Sequence, residues 1–373
     1  MTEQQPARAL DLGELRAALA EAQAPWQMGA TSMTALTEDE RRLRLGVPIT
    51  PGLSPDQLEE GREAAAADAA AARADGVGAP VSFDLRNVGG ADYTTPVKDQ
   101  GACGSCVAFG AVGSIEHVAR FTRGTPNLPI DLSEAQLFYC YGQAAGATCG
   151  TGWWPDQALD NCRDGGLTFE DYYPYTAGDQ NCTGLNADWP NRMVKVTAWT
   201  PLTGNAAGMK QHIASYGSAT ACLDVYQDFF SYRSGVYKHV TGDYAGGHCI
   251  TLVGYDDAQG CWIAKNSWNT GWGDSGFLRI GYGECRIESY QAVGVLGVNL
   301  RAWLPNQTIT GLWSNEFDAN VWAYGSLRGW LKLDGSSTVA AGAMLADLAA
   351  AKAGNRQVGL FEDAGVVKQT YAW

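Results

Sequence analysis

The sequence predicts an α+β protein of two lobes, with a small α+β module appended at its C-terminal end. Three observations carry this. A helix-period apolar run, Val107, Phe109, Val112, Ile115, Val118 and Ala119, occupies the first half of the central region. Strand-like runs crowd the second half: Met193–Thr200, Thr220–Val225, Cys249–Tyr255, Cys261–Lys265 and Phe277–Ile280. Beyond residue 300 the pattern changes again, to short strands around one Ala/Leu helix.

The N-terminal 79 residues read as a helical segment and linker rather than as a domain. Leu10 to Ala20 has the pattern of an amphipathic helix, with Leu12, Leu15 and Leu19 on one face. Ala24-Pro25-Trp26 breaks it, and Leu36-Thr37-Glu38-Asp39-Glu40 starts a second helix before Arg41. Pro48, Pro51, Gly52 and Pro55 form an irregular connector, and the alanine-rich Ala64–Ala74 run reads as a helical linker. The chain of 373 residues carries a net charge of −14 with no basic block, which argues against nucleic-acid or anionic-membrane partners. No run has the length of a transmembrane helix, and the N-terminus lacks a secretory pattern. The ten cysteines, all between 103 and 285, have the density of an oxidised scaffold, so localisation stays open.

The chemistry concentrates at Gln100-Gly101-Ala102-Cys103-Gly104-Ser105-Cys106. Gly101 and Gly104 loosen the chain, Ser105 is placed to cap the following helix, and Cys106 stands at its head. The positive end of a helix dipole favours thiolate over thiol, so Cys106 is a candidate nucleophile. Two other readings compete: a buried structural cysteine, and a redox dithiol made of Cys103 and Cys106. His248 follows 142 residues after Cys106, heading a buried strand, and Asn266 follows 160 residues after it in Lys265-Asn266-Ser267-Trp268. His117, His212 and His239 lie in unrelated contexts.

On these residues the chain resembles the papain family of cysteine peptidases. Pro80-Val81-Ser82-Phe83-Asp84, Pro96-Val97-Lys98-Asp99-Gln100, Leu132-Ser133-Glu134-Ala135-Gln136 and Tyr173-Pro174-Tyr175 extend the resemblance over residues 80–298. Val107 departs from it, standing where the family has an aromatic residue. The resemblance implies a papain-like fold, with a helical lobe and a β-barrel-like lobe flanking a cleft. It implies catalysis by Cys106, His248 and Asn266, with Gln100 in the oxyanion hole and Trp268 shielding the His–Asn hydrogen bond. It places Gly152, Trp153, Gly247, Trp272 and Tyr290 along the substrate, with Tyr290 rather than Glu288 at the floor of the main specificity pocket. It pairs Cys103 with Cys149 and Cys140 with Cys182, leaving Cys106 free; Cys162, Cys222, Cys249, Cys261 and Cys285 stay unassigned.

The function the resemblance implies is thus a thiol endopeptidase made as a zymogen, with residues 1–79 as prosegment and linker, acting on polypeptides with no cofactor and no metal. A catalytically idle binding protein of the same fold is the alternative. Residues 301–373 lie beyond the resemblance. Their strands, at Asn320–Gly325, Gly329–Asp334, Gln357–Phe361 and Val366–Trp373, surround a Thr338–Ala353 helix with Met344, Leu345 and Leu348 as its buried face. Six acidic and six basic residues balance there, and the separate hydrophobic pattern suggests a unit that folds on its own. Its five tryptophans, Trp303, Trp313, Trp322, Trp330 and Trp373, read first as core and second as a platform for a glycan or another partner.

Overall fold

A computed structural model describes residues 11–48, 78–317 and 319–372. The Ala64–Ala74 linker, the connector beyond Pro48, the Gly76 and Val77 end of the linker and Trp373 lie outside the described residues.

The chain begins with α1 (Leu12–Glu21), whose first turn is held by the Asp11 carboxylate accepting from the Gly13 and Glu14 amides. Leu15 and Leu19 are its buried residues. Strand β1 (Trp26–Met28) adds an antiparallel edge to a later strand, and α2 (Glu38–Arg42) opens with a complete capping box between Thr37 and Glu40. After β2 (Ser82–Asp84) comes α3 (Cys106–Thr122), the central helix, buried along 14 of its residues. Ser105 precedes it but does not cap it: its backbone, at φ −94° and ψ 11°, is not the extended conformation of a capping residue, and its hydroxyl turns to the Tyr175 hydroxyl at 2.7 Å.

A π-helical turn (Gln136–Gly142), α4 (Pro155–Asp164) and β3 (Leu167–Thr168) complete the helical lobe. Next come β4 (Met193–Pro201), α5 (Ala206–Tyr216), β5 (Ala219–Tyr226), β6 (Tyr232–Tyr237), β7 (Tyr244–Asp256), β8 (Cys261–Lys265), β9 (Phe277–Gly281) and β10 (Ala292–Trp303). The central pairing runs β1-β6-β9-β8-β7-β5-β10, and β4 lies along β10. Two large apolar clusters result, beside a small one of Leu85, Val253 and Ile263. One gathers α3, α4, Val194 and Val196 of β4, and the end of β10. The other gathers Leu223, Phe229, Tyr237, Trp262, Trp268 and Trp272 with Leu19, Trp26 and Met33 of the N-terminal segment. Disulfides join Cys103 to Cys149 and Cys140 to Cys182. Cys106 is a free, buried thiol, which removes Cys103 as its dithiol partner.

The tail comprises β11 (Gln307–Ser314), β12 (Val321–Gly325), β13 (Gly329–Leu333), α6 (Thr338–Ala353), β14 (Gln357–Asp363) and β15 (Val366–Ala372). The reading of the tail missed β11, whose glycine and polar positions hide its alternation. Strand β10 runs through the boundary between residues 298 and 301, and its Arg301–Trp303 end pairs with β14. Ala323, Leu331, Met344, Leu348 and Leu360 of the tail belong to the same apolar cluster as Val112 and Leu159 of the helical lobe. The tail therefore shares a core with the lobe instead of enclosing a separate one. Three of its tryptophans are not core: Trp303, Trp313 and Trp330 are each about half exposed, because strand parity sends them to the face away from α6, and Trp322 is partly buried.

Candidate active site

Cys106 is placed by the start of α3, and backbone amides of Gly46, Val107 and Cys249 lie against its sulfur. His248 comes from β7 in the opposite lobe, and Asn266 from the loop after β8. The His248 Nε2 is 2.8 Å from the Asn266 Oδ1, which fixes that nitrogen as the N–H donor and leaves Nδ1 without a hydrogen-bond partner. Trp268 lies 4.5 Å from the imidazole, ring centre to ring centre, and closes that side. The three remaining histidines have structural contacts: His117 Nε2 accepts from the Thr95 amide, His212 stacks on Tyr216, and His239 stacks on Tyr226.

Gln100 is aligned from both ends. Its Oε1 accepts from the Ser267 hydroxyl at 2.6 Å, and its Nε2 donates to the Cys103 and Arg44 carbonyls. Ser267 is thus a positioning residue that sequence reasoning passed over, although it stands beside Asn266. Also missed is a charged cluster beneath the site. Lys98 pairs with Glu134 at 2.8 Å, Thr95 donates to Glu116, and Lys265 donates to Thr95 from the other lobe. A cavity of about 10 Å³ is lined by this cluster together with Cys249 and Asn266. Burial pushes the Lys265 ammonium down to about 8, opposed by Glu116 and Glu134. Glu116 within the apolar run of α3 and Lys265 at the end of the apolar strand β8 were the signal available.

The cleft is filled by residues 44–48. The Gly46 carbonyl accepts from the Trp153 amide at 2.9 Å, the Val47 amide donates to the Gly247 carbonyl at 3.1 Å, and the Tyr290 hydroxyl donates to the Pro48 carbonyl at 2.9 Å. At Gly46 and Gly152 backbones meet with no room for a side chain. A Cβ on Gly46 would stand 1.8 Å from the Gly104 oxygen, and one on Gly152 would stand 2.0 Å from the Gly46 oxygen. Arg44 is anchored to Asp99 at 2.6 Å. Leu45 takes the space over Gly246.

Gly152, Trp153, Gly247 and Tyr290 therefore come together along one segment. Trp272 does not: it is fully buried in the strand-rich core, its indole donating to the Phe229 carbonyl and its ring packed edge-on against Trp268. Ser32 and Met33 of the N-terminal segment lie over that region. Tyr290 has Trp154 at its edge and the Arg286 guanidinium over its ring at 4.2 Å. Glu288 is turned into the core, where it accepts from the Trp262 indole and the Gly283 amide.

Covering the cleft sets its electrostatics. Cys106 and His248 are both fully buried. Burial pushes the Cys106 thiol up, reinforced by the neighbouring Cys249. Burial pushes the His248 imidazole down to about 4, against the Asn266 carboxamide and the Arg44 carbonyl, which favour the protonated ring. With residues 44–48 in place the pair is a neutral thiol and a neutral imidazole.

A family model described as papain family cysteine protease matches residues 79–295. The chain is similar to a gut-specific cysteine proteinase of Caenorhabditis elegans, 34% identical over 226 residues, covering 53% of this chain and 68% of that one. It is 35% identical over 205 residues to a cathepsin L-like proteinase of Fasciola hepatica, covering 54% of this chain and 60% of the relative. It is 35% identical over 212 residues to pro-cathepsin H of Mus musculus, covering 55% and 61%. The chain thus spans between 60% and 68% of the length of these relatives. Among solved structures, a procathepsin B of Trypanosoma congolense superposes with a TM-score of 0.60 at 24% identity, covering 77% of this chain and 98% of that one, a likeness of fold. A recombinant stem bromelain precursor superposes with a TM-score of 0.57 at 25% identity, covering 76% and 88%.

Proposed function

Because the chain belongs to the papain family of cysteine proteases, we propose that it hydrolyses peptide bonds with Cys106 as nucleophile and is made as a zymogen closed by its own residues 44–48. The observation that carries the reading is the His248–Asn266 hydrogen bond at 2.8 Å beneath Trp268, in the lobe facing Cys106. With Nε2 committed to Asn266, Nδ1 is the nitrogen left to take the Cys106 proton and later return it to the leaving amine. The oxyanion of the tetrahedral intermediate is received by the Gln100 Nε2 and the Cys106 amide. One such donor is typically worth about 2.7–4 kcal/mol. In the closed form the Arg44 carbonyl takes the Gln100 hydrogen bond instead.

Direction explains why residues 44–48 are not simply cut. A substrate whose carbonyl reaches Gln100, and whose side chain two residues earlier enters the pocket at Tyr290, runs from Tyr290 toward Gln100. Residues 44–48 run the other way, with Arg44 at Gln100, Val47 at Gly247 and Pro48 at Tyr290. The scissile geometry is then never presented to Cys106.

The test is hydrolysis of a fluorogenic peptide under reducing conditions, before and after removal of the N-terminal segment. Activity should appear on removal, vanish in Cys106→Ala with the circular dichroism unchanged, and be blocked by an epoxide thiol trap. Hydrolysis that persists in a folded Cys106→Ala protein rules out the mechanism. Equal rates before and after removal rule out the zymogen.

A further inference from the structure

The tail's outward sheet face carries a feature that peptide hydrolysis does not use. Strand register sets Trp313 directly opposite Trp322 and Tyr324 directly opposite Trp330, so four aromatic rings share the face turned away from α6. Trp313 is 46% exposed, Tyr324 41% and Trp330 50%. Trp313, Trp322, Trp330 and Asn320 line a shallow cup, open to solvent, of about 560 Å³, wide enough for a small ring-shaped ligand to lie on the indoles. The cup is built rather than incidental. The Trp322 indole donates to the Asn320 Oδ1 at 3.0 Å, and the Asn320 amide donates to the Asn315 Oδ1 at 3.0 Å, so ring and amide hold each other. Trp330 occupies the space above Gly311: a Cβ there would stand 3.2 Å from the edge of its six-membered ring.

The charges around the cup select its occupant. Among the described residues no acidic side chain lines it, and the residue in register beside Trp322 is Lys332. A neighbouring ammonium opposes a quaternary ammonium or methylated lysine, the usual guest of an aromatic cage. One lysine in a tail of balanced charge, on a chain of net −14, does not make the electropositive track that a nucleic acid needs. The lining holds indoles and an amide with no aliphatic side chain, unlike a hydrophobic groove for a peptide helix. What remains is an uncharged ring with apolar C–H faces and hydroxyls at its edge. The faces of such a ring stack on indoles, and its hydroxyls find the amide.

We propose that the cup formed by Trp313, Trp322, Trp330 and Asn320 binds a neutral sugar ring of a glycan chain, tethering the protein to polysaccharide or glycosylated substrate. The site lies outside the cleft and does not depend on the catalytic reading.

The experiment uses the full chain carrying Cys106→Ala, to exclude self-digestion, in depletion assays on cellulose, chitin, α-mannan and β-1,3-glucan. Tryptophan fluorescence is titrated in parallel with the matching soluble hexasaccharides. Retention is expected on at least one polysaccharide, competed by its hexasaccharide, and reduced at least tenfold in Trp313→Ala/Trp330→Ala. Trp303→Ala, half exposed but outside the cup, should bind normally. Should the double variant melt at a clearly lower temperature, Trp330→Ser alone carries the comparison. Absence of retention on all four polysaccharides, or equal loss with Trp303→Ala, overturns the proposal. A concentration-dependent dimer in sedimentation that disappears with Trp330→Ser also overturns it, by assigning the cup to a second copy of the chain.

Discussion

Replacing Gly46 with alanine tests the closed cleft at its tightest point. The new methyl would stand 1.8 Å from the Gly104 oxygen and 2.2 Å from its carbonyl carbon, both backbone atoms with no rotamer to yield. Residues 44–48 must lift as a unit. They then lose the bonds from Trp153 to Gly46, Val47 to Gly247 and Gln100 to Arg44. Each is worth about 0.5–1.5 kcal/mol net. Returning the Val47 side chain, now 5% exposed, to water costs about 1.5–3 kcal/mol more. The total of about 3–7 kcal/mol weakens closure at least about 100-fold. The assay is fluorogenic peptide hydrolysis by the intact Gly46→Ala chain, alongside inhibition of the activated enzyme by a synthetic peptide spanning residues 11–48. The intact variant should approach the rate of the activated enzyme, and the Gly46→Ala peptide should inhibit at least 100-fold more weakly. An intact variant as slow as the parent, with an equally potent peptide, would refute the reasoning.

Acid should open the cleft. His248 has its pKa lowered from 6.5 to about 4 by burial, so the stabilisation of the closed form by the neutral ring, about 3 kcal/mol, is present above pH 6.5 and lost as pH falls toward 4. Activation rates measured from pH 7 to 4.5 should rise on acidification; faster opening at neutral pH would contradict this. A positional peptide library should show Val, Leu or Pro favoured two residues before the cut, since Val47 shares its cluster with Tyr290, Cys222 and Cys249, and the Arg286 guanidinium stands behind the ring. A strong arginine preference there would remove Tyr290 from the pocket. Truncation after Leu300 should yield an insoluble or early-melting protein, because it strips partners from Val298 and Leu300 and removes the strand paired with the end of β10; a soluble, fully active truncation would show that the shared core is dispensable.

The apolar period of α3, the Cys106 motif, and the residue types and spacing of His248 and Asn266 were all legible along the chain. Each depends on local order: a helix face repeats every three to four residues, and catalytic groups are chemically distinctive wherever they stand. The Thr338–Ala353 helix was legible for the same reason. Ser105 shows where local order stops, since a sound capping residue is held out of the capping conformation and bonded instead to Tyr175, 70 residues away. Residues 44–48 were illegible as the cleft's occupant because backbone groups and glycine make much of the contact, leaving few side chains to announce it. The Lys98, Glu116, Glu134 and Lys265 cluster is built from four separate segments, so only folding could show that these charges neutralise one another. In the tail, period-two alternation puts Trp322 and Tyr324 on one face of a strand, but it cannot say which face is turned inward. The sequence alone determined which groups exist and which local elements carry them. Only the tertiary structure decided that α6 covers the other side, joining the tail's apolar face to the peptidase core and leaving Trp303, Trp313 and Trp330 half exposed, because burial depends on what packs against a face.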